Sequence, residues 1–315
     1  MSDTRRPENK PIDVWMVTDG KAGHENQSRA LIDRLGTRAD VRAHRILAPR
    51  NPLWPPGRSL WGAHAELPDP ELILCAGRRT HRTALAVKRR RGGVLVVCMR
   101  PYVAQRHFDL CFIPAHDEPE HAPNVEITTG AIVNVRPSAH HDKSRGVILI
   151  GGPSAHFGMD PEALADRIRV ILESSAETQW DLATSRRTTA EATDALMTLR
   201  RDRMTVWTND QTPPGWVGER LAESGVAWIT EDSASMLCES VTAGSATGVL
   251  PMIRKNPEGR VARGVDDLRA RGLVTMYHDW IETGELRAPA EPLDEADRCA
   301  RLIMRRFFPD RGDAS

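Results

Sequence analysis

IDVWMVTDGKAGHENQSRALIDRL, residues 12–35, decides the fold. Residues 12–18 form a mostly apolar run containing Ile12, Val14, Trp15 and Val17, and they read as a buried strand. Residues 25–35 set Leu31, Ile32 and Leu35 at helical spacing among polar residues. The connecting TDGKAGHENQ, residues 18–27, holds Gly20 and Gly23, and glycine accepts backbone conformations that other residues resist. Strand, turn and helix in that order make half of a βαβ unit, and the cycle recurs. Strands are predicted at residues 41–46, 71–75, 94–98 and 109–113, with a helix over 79–91. Short apolar runs alternating with helical patterns call for a parallel sheet covered on both faces.

The pattern lapses over VRPSAHHDKSR, residues 135–145, where the domain linker is placed. A second series opens with GVILI, residues 146–150, followed by a helix over 161–174 and strands at 180–184, 204–208, 226–230 and 248–252. The expected fold is α/β, with two Rossmann-like domains on parallel sheets at residues 1–140 and 146–292. A chain of 315 residues suits two such domains, at about 150 residues each. An amphipathic helix over residues 294–307 sets Leu302, Ile303 and Phe307 on one side, and the pattern alone assigns it no partner.

Lys plus Arg and Asp plus Glu balance at 43 each, so no global field recruits nucleic acid or an anionic membrane. The five cysteines show no CxxC pair and no metal-ligand spacing, which points to a reducing cytoplasm and to no metal centre. The polar start MSDTRRPENKP lacks the apolar stretch of a signal peptide, and no window approaches the roughly 20 apolar residues of a spanning helix. The expected location is cytoplasmic, with peripheral contact at the inner membrane. Trp54 and Trp61, bracketing Arg58 in NPLWPPGRSLWG (residues 51–62), suit a lipid interface or a loop packed on its own domain.

Ligands of open parallel sheets bind beyond the carboxyl ends of the strands, so polar residues in those loops are the candidates. Within TDGKAGHENQ the GxxxxGK[ST] spacing of a phosphate loop is absent, whereas His24 and Asn26 suit binding or deprotonation of a hydroxyl. The alternative is a plain turn with His24 as a cap. GGPSAHFGMD, residues 151–160, offers Gly151 and Gly152 for close backbone approach and Ser154 as a donor, or else a proline turn. TSRRT, residues 184–188, sets Ser185, Arg186 and Arg187 at a strand end, which suits a diphosphate or leaves a solvated pair. In EDSASMLCESV, residues 231–241, Asp232, Ser233 and Ser235 fall where a helix begins and Glu239 lies one turn beyond Ser235. Hydroxyls and free N–H groups there form an anion site, and a carboxylate one turn on can accept both hydroxyls of a ribose; otherwise these are a cap and a surface residue. Arg78, Arg79 and His81 follow the strand ending at Ala76, but the run Lys88–Arg91 reads as a solvated helix face. His116 and Asp117 adjoin without a third ligand.

TDGKAGHENQ, AGRRT (residues 76–80), GGPSAHFGMD, TSRRT and TEDSASMLCES, in that order, resemble the elongated-mitochondria fission family. That family is similar to two-domain GT-B glycosyltransferases, in which facing Rossmann-like domains bind a sugar nucleotide without a metal or other cofactor. The resemblance implies an N-terminal acceptor domain, a C-terminal nucleotide-sugar domain and a last helix, within residues 293–315, returning to the first. Gly23 and His24 resemble the Gly-Gly-His loop of N-acetylglucosamine transferases that act on lipid-linked acceptors. Glu239 resembles their ribose-binding glutamate, with Ser233, Ser235 and Met236 in the preceding turn. GSATGV, residues 244–249, departs from the Gly-Lys-Pro-Val-like stretch usual there, which weakens the strand expected after Glu239.

The reading that follows is a glycosyltransferase moving a sugar from a nucleotide diphosphate donor to a lipid-linked or other cell-envelope acceptor. His24 serves the acceptor with Gly20, Gly23, Asn26, Arg78 and Arg79 around it. Gly151, Gly152, Ser154, Ser185, Arg186, Arg187, Asp232, Ser233, Ser235 and Met236 surround the diphosphate, and Glu239 takes the ribose. The alternatives are a non-catalytic adaptor connected with membrane fission and a sugar-nucleotide epimerase, because fold does not fix function.

Overall fold

The computed structural model describes residues 10–49 and 64–311. The Trp-rich stretch with Trp54, Arg58 and Trp61 lies outside the described residues. The chain divides into two units, one running to Asn134 and resuming at Glu295, the other Val135–Asp294.

The first unit opens with β1 (Ile12–Thr18), α1 (Ala22–Leu35), β2 (Val41–Leu47), β3 (Leu72–Ala76), α2 (His81–Arg91), β4 (Val94–Cys98), β5 (Leu110–Pro114) and β6 (Val125–Thr128). Its six strands are all parallel, in the order β2-β1-β3-β4-β5-β6. All seven residues of β1 are buried, because alternate side chains enter opposite layers. Ile12 and Val14 pack with Leu31 and Leu35 of α1, while Trp15 and Val17 pack with Ala84 and Val87 of α2. The edge strand β2 instead carries Arg42, His44 and Arg45 and is largely exposed, which blunts an open sheet edge.

The second unit runs β7 (Asp142–Ile150), β8 (Phe157–Gly158), α3 (Pro161–Ser174), β9 (Gln179–Thr184), α4 (Ala190–Met197), β10 (Met204–Trp207), α5 (Trp216–Glu223), β11 (Ser224–Thr230), α6 (Ala234–Ala243), β12 (Ala246–Leu250), β13 (Ile253–Arg254), α7 (Arg260–Ala270), β14 (Thr275–Met276) and α8 (Tyr277–Thr283). Its six-stranded sheet is also parallel, in the order β10-β9-β7-β11-β12-β14. Leu164, Ile168 and Leu172 of α3 cover one face against Ile148, Ile150 and Leu182. The α/β fold class with two parallel sheets is as the sequence predicts.

The last helix, α9 (Glu295–Phe307), belongs to the first unit. Its Cys299, Ala300, Ile303 and Met304 join the layer that holds Leu31 and Leu35. Arg38 reaches Asp297 at 2.5 Å, and Arg311 beyond the helix reaches Glu71 at 2.8 Å. Among the described residues no helix is long and apolar enough to cross a membrane.

Several boundaries differ from expectation for physical reasons. α1 starts at Ala22 rather than at residue 25, so His24 stands in its first turn and Asn26 just beyond it. β7 starts at Asp142 because the polar residues DKSR form its exposed leading end before the buried GVILI. β6 was not anticipated, since only four short-range residues at a sheet edge carry it. The doubted strand after Glu239 is β12, buried throughout. Its Gly248 pairs in register with Trp228, and a Cβ there would lie 2.3 Å from the Trp228 ring. Gly146 stands in the same relation to Trp180. Small residues in GSATGV therefore make room for a neighbouring tryptophan. In the run Lys88–Arg91, Arg89 and Arg90 are exposed as a solvated face requires, but its ends are engaged: Lys88 pairs with Asp109 at 2.5 Å, and Arg91 pairs with Asp69 at 3.0 Å while lying over the Trp15 ring.

Candidate functional site

In each sheet the strand order reverses once, beside β1 in the first unit and beside β7 in the second, and loops leaving the carboxyl ends diverge there. The predicted polar residues gather at these two places.

At the first, Gly20 adopts φ +80° and turns the chain out of β1. The Thr18 hydroxyl accepts from the Gly20 N–H at 3.0 Å and donates to Glu25 at 3.0 Å. Glu25 is held near a pKa of about 2, first by Arg45, then against burial by Arg29 and Thr18. This network fixes the first turn of α1. Asp19, whose side chain is 1% exposed, accepts from the Lys21 N–H at 3.1 Å and meets His24 Nδ1 through both oxygens at 3.1 and 3.2 Å. Burial works to raise the Asp19 pKa, but those hydrogen bonds and the nearby positive charge leave it lowered. A carboxylate on Nδ1 fixes the tautomer, so the basic lone pair of a neutral His24 is on Nε2. Nε2 has no hydrogen-bond partner among the described residues.

The His24 ring lies on the backbone of Gly77, which has φ +86° and follows β3; a Cβ there would meet Nδ1 at 2.1 Å. Arg78 and His81 come next in the chain. Arg78 is exposed, with its guanidinium 5.2 Å from the Tyr102 ring centre, and His81 is buried and stacked on the same ring. Burial, then the charges of His24 and Arg78, push the His81 pKa down to about 4, so His81 is neutral at pH 7. Arg79 is partly buried. Two predicted residues are not brought to this group. Gly23 is exposed with open space where a Cβ would stand, and Asn26 is exposed two residues past His24, a spacing that turns it away around the helix.

At the second place, the Gly151 N–H donates to Thr230 at 2.7 Å and the Gly152 N–H to Asp232 at 3.1 Å. Neither glycine tolerates a side chain: a Cβ would lie 2.3 Å from Asp232 at Gly151 and 2.0 Å from the Arg187 carbonyl at Gly152. Arg187 crosses between the loops, reaching Asp232 at 2.6 Å, Ser233 at 3.0 Å and the Gly152 carbonyl at 3.0 Å. Arg186 is exposed and without a bonded partner among the described residues. Ser185 accepts from the Arg187 N–H at 3.2 Å, and the Ser154 hydroxyl oxygen accepts from the N–H groups of His156 and Phe157. Both serines therefore shape turns.

Ser233 precedes α6 without capping it, and the N–H groups of Ala234, Ser235 and Met236 find no acceptor among the described residues. Ser235 is exposed, and Met236 and Glu239 are half-buried. Glu239 has no bonded partner among the described residues, and burial pushes its pKa up to about 7. Free helix N–H groups beside an arginine can hold an anion, and Glu239 can accept hydroxyls. A cavity of 570 Å³ lined by Leu172, Trp180 and Arg201 opens at the opposite, amino ends of the strands and involves none of these groups.

Some participants escaped the sequence reading. Asp19 stands within the quoted loop, five residues before His24. Thr188 ties β7 to the arginine loop through the carbonyls of Gly151 at 2.6 Å and Ile150 at 3.2 Å. Glu231, buried, binds Arg254, which also holds Asp266, and this clamp fixes the turn into α6.

Two parallel α/β sheets with polar residues at each strand-order reversal define the class of GT-B-like folds. The chain belongs to the mitochondrial fission ELM1 family, whose pattern it matches over residues 22–307. No curated protein matches it in sequence. Among solved structures it is similar to a putative UDP-N-acetylglucosamine 2-epimerase from Listeria monocytogenes, with TM-score 0.59, 12% identity and 96% and 98% of the two chains covered. It is also similar to UDP-GlcNAc 2-epimerase from Neisseria meningitidis bound to UDP-GlcNAc, with TM-score 0.51, 11% identity and 95% and 100% coverage. A UDP-glucosyltransferase from Polygonum tinctorium aligns with TM-score 0.50, 9% identity and 96% and 94% coverage. At these identities the likeness concerns the fold.

Proposed function

We propose that this protein is a glycosyltransferase that takes a sugar from a nucleoside diphosphate donor and passes it to a hydroxyl of a cell-envelope acceptor. The observation that carries the reading is the start of α6 in the second unit, where free N–H groups stand beside Arg187, itself held by Asp232, Ser233 and the Gly152 carbonyl. A departing diphosphate gains charge, and fixed donors aimed at that charge lower the barrier without a bound cofactor. Glu239 accepts the ribose hydroxyls. In the first unit Asp19 orients His24, and Nε2 takes the proton of the attacking acceptor hydroxyl. The work takes place in the cytoplasm, with the acceptor presented at the membrane surface.

The same architecture serves epimerases, so the fold does not choose between the reactions. The His24–Asp19 pair favours transfer, because a hydroxyl nucleophile needs one base with its lone pair directed outward. Thermal-shift screening against UDP, other nucleoside diphosphates and their sugars tests the reading. A ligand at about 100 times its Kd should add about 2.7 kcal/mol of apparent stability. No shift with any of them, by a protein shown to be folded, rejects donor binding.

A further inference from the structure

The loop after β4 was not singled out by its sequence, yet it is held in an unusual state. Met99 has φ +80°, a conformation uncommon for a residue with a side chain and costly unless the surroundings enforce it. Its N–H donates to the Phe112 carbonyl at 2.8 Å, Pro101 behind it is buried, and Arg100 donates to the Asp117 carbonyl at 2.7 Å. The loop thereby presents Tyr102, 38% exposed, to the loop after β3. There the Tyr102 ring stacks on buried His81, with centroids 5.2 Å apart and planes 16° apart, and Arg78 lies over it at 5.2 Å. Arg78 has no carboxylate partner among the described residues. The next residue back is Gly77, the seat of the His24 ring. A guanidinium laid on an aromatic face keeps the edge of its fork free and loses little freedom when that edge engages a planar or tetrahedral oxyanion. Strain and stacking thus set an unpaired cation beside the proposed base.

We propose that Arg78, laid on Tyr102, is an oxyanion site that holds a phosphate or carboxylate of the compound whose hydroxyl His24 serves. The link to the acceptor rests on the transfer reading, whereas the anion site itself does not.

Methyl phosphate and acetate, each titrated at constant ionic strength while the imidazole NMR signals of His24 and His81 are followed, test it. Saturable shifts are expected with at least one of them: phosphate alone identifies a phosphorylated acceptor, acetate alone a carboxylated one. Arg78→Gln should weaken that binding about tenfold or more, the lower end for a hydrogen bond to a charged group. Tyr102→Leu, which keeps the charge and removes the platform, should weaken it about two- to five-fold. Affinity for UDP should be the same in Arg78→Gln as in the wild type. Unsaturable shifts with both anions, wild-type affinity in either variant, or an equal loss of UDP affinity overturns the proposal. The two readings separate in His24→Ala: if transfer survives there while His81 still reports saturable anion binding, the base assignment fails and the anion site stands.

Discussion

Glu239 should make the stability and the nucleotide affinity of this protein depend on pH in opposite senses. Burial lifts its carboxyl from an ordinary value near 4.5 to about 7, and no cation or donor among the described residues brings it back. An acid whose folded pKa is raised contributes stability in full below its unfolded pKa and loses that contribution as pH rises through the folded value. The window is therefore pH 4.5 to 7. At 1.36 kcal/mol per pKa unit the span of 2.5 units sets a ceiling of about 3 kcal/mol, and solvent at this half-buried site reduces it toward 2. Glu239→Gln cannot ionise, so its stability minus that of the wild type should grow by about 2–3 kcal/mol between pH 4.5 and 7.5. Urea unfolding followed by tryptophan fluorescence is weighted toward the right unit, because Trp180, Trp207, Trp216, Trp228 and Trp280 lie in it whereas, among the described residues, Trp15 alone lies in the other. Affinity for a nucleoside diphosphate should rise over pH 6 to 8 in the wild type and stay flat in Glu239→Gln, since the ionised carboxylate is the stronger acceptor. Parallel stability curves for the two proteins across the window would refute the reasoning.

His24→Ala should lower transfer by roughly 10²–10⁴ while donor affinity, measured on the same folded sample, stays unchanged; unaltered transfer removes the base assignment. Asp19→Asn should lower transfer about tenfold or more and move its pH profile, whereas a merely structural Asp19 would leave that profile in place. Arg187→Lys should cost about 1.5–3 kcal/mol in binding of a nucleoside diphosphate and little for the bare nucleoside, while Arg186→Lys should change neither; calorimetry with both ligands distinguishes a contact from a folding effect. Gly248→Ala should destabilise by about 1–3 kcal/mol in urea, because its methyl would meet the Trp228 ring, and wild-type stability would show that the ring moves freely aside.

Most strands of both sheets are legible because buried parallel strands are nearly continuous apolar runs, as β1 and the GVILI end of β7 show, whereas the short edge strands β6 and β14 are not. Helix beginnings are harder: AGHE reads as loop because of its glycine, yet Thr18 and Asp19 just before it, and Arg45 on the neighbouring strand through Glu25, hold that turn. GSATGV looked a poor strand because its fitness lies in Trp228, twenty residues earlier and one strand away. Of the adjacent arginines Arg186 and Arg187, the sequence marked the pair and only geometry selects the second. Ser154, Ser185 and Asn26 stand out in the sequence by residue type, and type alone does not separate a turn-former from a ligand contact. Tyr102 carried no signal at all, since its importance arises from Arg78 and His81 on another loop.

The placement of α9 bears on how the molecule is made. A ribosome releases the chain from its amino end, and domains generally fold as units once their residues are out. The second unit has all of its residues once Asp294 has emerged. The first, although it begins the chain, lacks Cys299, Ala300, Ile303 and Met304 until the last helix is translated, and the face formed by Val14, Leu72 and Leu74 is not fully covered before then. The order of completion is thus the reverse of the order of synthesis. A nascent chain halted shortly before Glu295 would carry a finished second unit behind an unfinished first one, with open apolar surface of the kind that chaperones bind.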